Sequence, residues 1–198
     1  MKTEKYPSSG ADSKPLRADA QRNRDAVVKS AITKFHAHGL EVSLDEIARD
    51  AGVGVGTLYR HFPSREDLLA AALERKDRDL LVVAEHVQAM NESQEALTIW
   101  FQALLEYLKT FGGLQMPVLN AVNEPTSPLA ITCDCVLFIT ENLLKAAQKK
   151  GVVKTDITGK QLFQCIVGLS WAFNRTNSND ETKAGVMKIL ESGYLNVN

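Results

Sequence analysis

The chain is 198 residues long, 44% hydrophobic and 24% charged with a formal net charge of −1, which suits a folded globular protein: one compact domain, or a small module on a larger one. No run of about 18 apolar residues occurs, so no transmembrane helix and no membrane partner are expected, and residues 1–15 (MKTEKYPSSGADSKP) hold no apolar stretch that would read as a secretory signal. Three cysteines, Cys133, Cys135 and Cys165, lack framework spacing and suit a reducing cytoplasm rather than a disulfide scaffold.

In chain order, residues 1–17 are polar, carry Pro7 and Pro15 and show no periodicity, so a flexible arm is expected. From 19 to 38, Val27, Val28, Ala31, Ile32 and Phe35 fall at helical spacing, and Gly39 supplies a stop. Ser43 and Glu46 have the spacing of a capping box and open a short helix with Leu44, Ile47, Ala48 and Ala51 on one face. Gly52-Val53-Gly54 breaks it. A second short helix spans 55–62, with Leu58 and Phe62 inward, and Pro63 ends it. Ser64 then caps a helix expected to run unbroken to about residue 90. Leu97, Trp100, Phe101, Leu104, Leu105, Leu108 and Phe111 mark another, stopped at Gly112-Gly113. A short segment over 117–123, a loop over 124–128, and helices over 129–150, 160–174 and 181–195 complete the chain. The helix at 129–150 is apolar nearly all round at its start and is expected to be central. No strand alternation is visible, so the fold class is all-α. The expected organisation is an arm over 1–17, a three-helix helix-turn-helix module over 18–65, and a larger helical body over 66–198.

Charge is uneven in the way a DNA-contacting end would make it. Residues 1–65 carry 11 Lys/Arg against 8 Asp/Glu, whereas residues 66–198 carry 12 against 16. The decisive stretch is 43–69, SLDEIARDAGVGVGTLYRHFPSREDLL. It describes two short helices joined by a glycine turn, the second opening on small residues. A recognition helix must bring its N-terminal side chains to base edges in a major groove about 12 Å wide. Val55, Gly56 and Thr57 allow that approach, and the outward face offers Thr57, Tyr59, Arg60 and His61 as donors to phosphate or base.

On these residues the chain resembles the TetR family of bacterial repressors. Ser43…Ile47-Ala48…Ala51-Gly52-Val53, then Gly56-Thr57-Leu58-Tyr59-Arg60-His61-Phe62, then Arg65-Glu66-Asp67-Leu68-Leu69 fill the family's pattern in register over about residues 20–70. Gly54 departs from it, standing where the family usually has a capping serine or threonine; glycine caps less well, by a few tenths of a kcal/mol. Residues 147–156 look like the link before the family's penultimate helix. The resemblance implies that Ser43, Thr57, Tyr59, His61 and Arg65 meet phosphates and that Val55, Gly56 and Arg60 sit nearest base edges. The partner implied is a pseudo-palindromic double-stranded operator, in the cytoplasm.

The body is larger than anchoring a short reader requires. Trp100, Phe101, Leu104, Tyr107, Phe111, Met116, Asn120, Asn123, Phe138 and Trp171 are candidates to line an effector cavity, with the helix of 64–90 as the lever to the reader. Residues 161–173 are apolar on more faces than one core covers. Phe163, Ile166, Leu169 and Phe173, with Val186, Ile189, Leu190 and Tyr194, are therefore expected to join two copies into a homodimer. The function expected is a repressor released from its operator by a small molecule. The alternatives are a reader without an effector and a thiol-responsive regulator. A glycine-rich phosphate loop at 52–56 lacks the preceding strand and the Gly-Lys-Ser/Thr, so no enzyme is read here. Neither a metal nor a cofactor is expected: His36, His38 and His86 form no ligand pair, and Cys133 and Cys135 point to different helix faces.

Overall fold

The computed structural model describes residues 13–196, with side chains from Ala18 onward. Of the expected arm, residues 1–12 lie outside the described residues. From Ser13 the backbone is already helical, earlier than periodicity suggested; Pro15 falls in the first turn, where a missing N–H costs no helical bond.

Helix α1 (Ser13–His38) buries Val27, Val28, Ala31 and Phe35 and stops at Gly39, whose φ of +75° only glycine adopts without strain. Helix α2 (Leu44–Asp50) is capped by Ser43, but differently from expectation. The Ser43 hydroxyl accepts from the Asp45 amide at 3.2 Å, and Glu46 does not turn back to close a box. Glu46 instead takes the Lys34 ammonium at 2.7 Å, tying α2 to α1. Buried Ser30 makes a second tie, donating towards the Ile47 carbonyl and the Asp50 carboxylate. Helix α3 (Val55–His61) follows a Schellman turn, in which the Gly52 and Val53 amides return to the Arg49 and Ala48 carbonyls and Gly52 takes φ +70°. Leu58 and Phe62 are buried beneath it.

Helix α4 (Arg65–Glu74) opens with a complete capping box between Ser64 and Asp67 and lies against α1. The unbroken helix expected over 64–90 is not formed. The helix is interrupted by a turn at Arg75-Lys76, where the Lys76 amide bonds the Leu73 carbonyl at 2.6 Å, and α5 (Asp77–Ala89) follows. The run Arg75-Lys76-Asp77-Arg78-Asp79 offers no apolar residue to hold one helix on one face. The break lets Arg75 pair with Asp25 of α1 at 2.7 Å while Asp77 turns inward to Tyr107.

The body continues with α6 (Ser93–Leu108), α7 (Gln115–Ala121), α8 (Ala130–Lys149), α9 (Gly159–Thr176) and α10 (Asp180–Tyr194). Helix α6 buries the stripe from Ala96 to Leu108, and α8 packs on α6, α9, α5 and α7. Trp100 fills the centre, its indole N–H donating to the Thr140 hydroxyl at 2.8 Å. Although α8 is central, it is not buried all round: Ile131 and Phe138 face outward. All ten helices and one isolated bridge, Val153 to Leu195, account for the regular structure among the described residues. The fold class is all-α, with the helix-turn-helix N-terminal to a helical body.

One contact joins the two ends of this core. Phe35 of α1 meets Phe111 edge to face at 5.6 Å, and the Leu40 amide donates to the Gly112 carbonyl at 2.8 Å. A Cβ on Gly39 would stand 3.0 Å from that same carbonyl oxygen, so backbone rests on backbone.

Candidate nucleic-acid interface

Helix α3 is held from below and open above. Leu58 is fully buried, Tyr59 is 47% exposed, Val55, Gly56 and Arg60 face solvent, and Thr57 and His61 are half-buried. Tyr59 therefore fills no core position, and its hydroxyl takes no partner among the described residues. Ser43 is exposed at the start of α2. Among the described residues, nothing beyond its chain neighbours and the helix's own backbone comes within 4 Å of where a Cβ on Gly56 would stand, so the fold leaves that space free. Arg24 of α1 lies over the Phe62 ring, 5.2 Å from its centre, which adds a positive charge beside the end of α3.

Arg65 does not stand with this group. Its guanidinium donates from Nη1 to the carbonyls of Leu40 and Val42, the latter at 2.7 Å, and so clamps the α1–α2 connection onto α4. Beside the phosphate contact expected of it, Arg65 thus serves as an internal tie, because two carbonyls with no helical partner need a donor there. Sequence reasoning had no signal for this, since the acceptors lie 23 and 25 residues away.

The residues expected to line one effector cavity do not converge. Met116, Asn120, Phe138 (66% exposed) and Trp171 (52% exposed) face outward, and exposed Asn123 accepts from Lys160. Phe111 belongs to the joint with α1, and Trp100 is a core residue. Only Leu104 and Tyr107 line the enclosed apolar cavity between α6 and α8. That cavity leaves about 10 Å³, room for one water at most. Helices projected from sequence give angles but not neighbours, so outward aromatics were placed inward.

The residues expected at the dimer face divide by exposure. Phe163, Ile166, Phe173 and Tyr194 are buried in their own subunit, Tyr194 edge to face with Phe101 at 6.0 Å. Leu169, Val186 and Leu190 are half-buried, and Ile189 is 72% exposed. The outward side of α9 is instead Cys165, Gly168 and Trp171. Burial pushes the Cys133 thiol up to about 11, away from the reactive thiolate; Cys135 and Cys165 are exposed.

Residues 27–72 match the family model described as bacterial regulatory proteins, tetR family. Residues 92–195 match the C-terminal domain of SbtR-like transcriptional regulators. An HTH-type transcriptional regulator of Staphylococcus aureus (strain USA300) is 33% identical over 97 residues, 48% of this chain and 51% of its own length. The match thus spans about half the length of the curated relatives. Among solved structures, a TetR transcriptional regulator from Streptomyces coelicolor is 27% identical with a TM-score of 0.55, over 88% of this chain and 99% of that one. A TetR transcription regulatory protein from Mycobacterium vanbaalenii is 31% identical with a TM-score of 0.50, over 92% and 100%. Two family models in their proper order, on a helix-turn-helix with an open third helix, settle the kinship: the chain belongs to the TetR family of DNA-binding bacterial transcriptional regulators.

Proposed function

We propose that this chain is a homodimeric repressor that holds a pseudo-palindromic operator through α3 and lets go when a small molecule enters the helical body. The observation that carries the DNA part is the face of Val55, Gly56, Tyr59 and Arg60, open above a buried Leu58. Thr57, Tyr59 and His61, with Ser43 at the α2 N-terminus, meet phosphates; Val55, Gly56 and Arg60 read bases. Residues 18–65 form the reader and 66–198 the body, with α4 packed on α1 and so moving with the reader. Exposed Phe138 of α8, Trp171 of α9 and Ile189 of α10, with the open space at Gly168, support pairing of two copies through these helices. Such a protein acts where the chromosome lies, in the cytoplasm.

Selection of bound fragments from a random DNA library tests this reading. It should return an inverted repeat whose half-sites lie about one helical turn or a multiple apart. Affinity should fall steeply with salt, and Arg60→Ala should relax the preference at one base position. Recovery of sequence-independent binding alone would overturn the operator reading. The tight packing of the enclosed cavity favours a second reading, a reader that works without an effector. Melting in the presence of small apolar and charged compounds separates the two, because a ligand of the folded state raises the melting temperature.

A further inference from the structure

Asp77, the first residue of α5, sits half-buried at the turn out of α4. One carboxylate oxygen accepts from the Tyr107 hydroxyl at 2.6 Å, and the other has the Thr132 hydroxyl at 3.5 Å. None of the ion pairs among the described residues includes it. Burial raises its carboxyl above the ordinary value, and the neighbouring Glu74 adds to this. A carboxylate that is desolvated and paired only with neutral hydroxyls lacks its best partner, a cation.

What lies beside it is apolar. A groove of about 180 Å³ opens between α5 and α8, walled by Leu80, Leu81, Ile131, Val136 and Ile139, with Trp100 at its base. Among the described residues, Asp77 is the one charged residue of that wall. Thr132 and Val136 also wall the enclosed cavity behind, which Tyr107 lines from the other side. Thr132, one of the two hydroxyl residues holding Asp77, therefore stands between groove and cavity, and Tyr107, the other, lines the cavity. A hydrocarbon body satisfies the walls, and one protonated amine satisfies Asp77. A neutral or anionic ligand satisfies only the walls or repels the carboxylate.

We infer that this groove is a binding site for small organic cations, an apolar body carrying a single protonated amine that ion-pairs with Asp77. The inference rests on the effector reading above and gives that effector its chemical class. It also supplies a route to DNA. Asp77 lies three residues beyond Glu74, the end of α4, and the start of α4 carries the Arg65 clamp on Leu40 and Val42. An ammonium that draws Asp77 from Tyr107 into the groove pulls on the turn at Arg75-Lys76 and so on the element that holds the reader.

Calorimetry on the full-length protein, with 2-phenylethylamine and hexylamine against 2-phenylethanol and hexan-1-ol, tests the site. The amines should bind, and the matched alcohols should bind about tenfold more weakly or worse, the worth of one charge-assisted hydrogen bond. Asp77→Asn should bring the amines down to the level of the alcohols. Leu81→Trp, at a partly exposed wall position, should fill the groove and remove both. Equal binding of amine and alcohol, amine affinity that survives Asp77→Asn in a normally melting protein, or no amine binding at millimolar concentration each overturns the site. Release of a selected operator fragment is read separately. Amine that binds through Asp77 and leaves DNA bound defeats the effector reading alone; a neutral compound that frees DNA from the Asp77→Asn protein defeats this site alone.

Discussion

Arg65 and Asp77 bracket α4, and each is committed to partners far away in sequence. Removing the Arg65 guanidinium leaves two part-buried carbonyls without a donor. Arg65→Ala should therefore cost about 1.5–3 kcal/mol, the range for hydrogen bonds from a charged group, read as a lower melting temperature. Unchanged melting with a shallower salt dependence of DNA binding would return Arg65 to the phosphates. Gly56 tests the opposite case. Space around it is open and it lies within α3, so Gly56→Ala should stabilise the helix by about 0.5–1 kcal/mol. DNA affinity should fall nonetheless if, as proposed, a base edge approaches Gly56; rising affinity would remove Gly56 from the groove. At this scale, what was legible in sequence was what acts locally. Ser43, Ser64, Gly39 and Gly52 perform their caps and stops within a few residues. Ser30, Arg65 and Asp77 act across 17 to 55 residues, and nothing in a single sequence marks such pairs.

Among the elements, the helix positions were readable because apolar spacing repeats along each one, whereas their relations were not. The expected 64–90 helix shows the limit: its period continues across Arg75-Lys76, but five consecutive charges leave no apolar side chain to hold one unbroken helix there. On α9 the periodicity marked the apolar residues but not which of them the subunit's own core takes, since only the neighbours α6, α7 and α8 decide which stripe they cover. The α1–α2 contact gives a pH test. The Lys34 ammonium, through its hydrogen bond, holds the Glu46 carboxyl below its ordinary value. A carboxyl lowered in the folded state stabilises above its unfolded value, near pH 4.3, and loses that contribution as pH falls through its folded one. Melting curves of the wild type and Glu46→Gln should thus differ at neutral pH and converge below about pH 4. A difference that persists in acid would show that packing, not charge, holds the two helices.

For the whole molecule, the outward Phe138 and Trp171 are the surface that most needs a partner. Glutamate at both positions should yield a monomer by sedimentation with helicity intact, because neither side chain belongs to the subunit's own core. Operator affinity should drop steeply with it, since each half-site then binds without the effective concentration a dimer gives. A double variant that remains dimeric would move the interface elsewhere. The contact of Gly39 with Gly112 bears on a different matter, the portability of parts. Readers of this kind look interchangeable from sequence, a cassette to be cut at about residue 65. Here the cassette's floor belongs to the receiving body: Gly112 supplies an acceptor and a bare backbone, and Phe111 a ring for Phe35. A foreign reader grafted onto this body should keep its grip only if it brings glycine and an aromatic ring to the positions of Gly39 and Phe35. Conversely, this reader moved elsewhere should need a glycine to land on. Shuffling of specificity between such proteins is thus constrained by a backbone socket between reader and body.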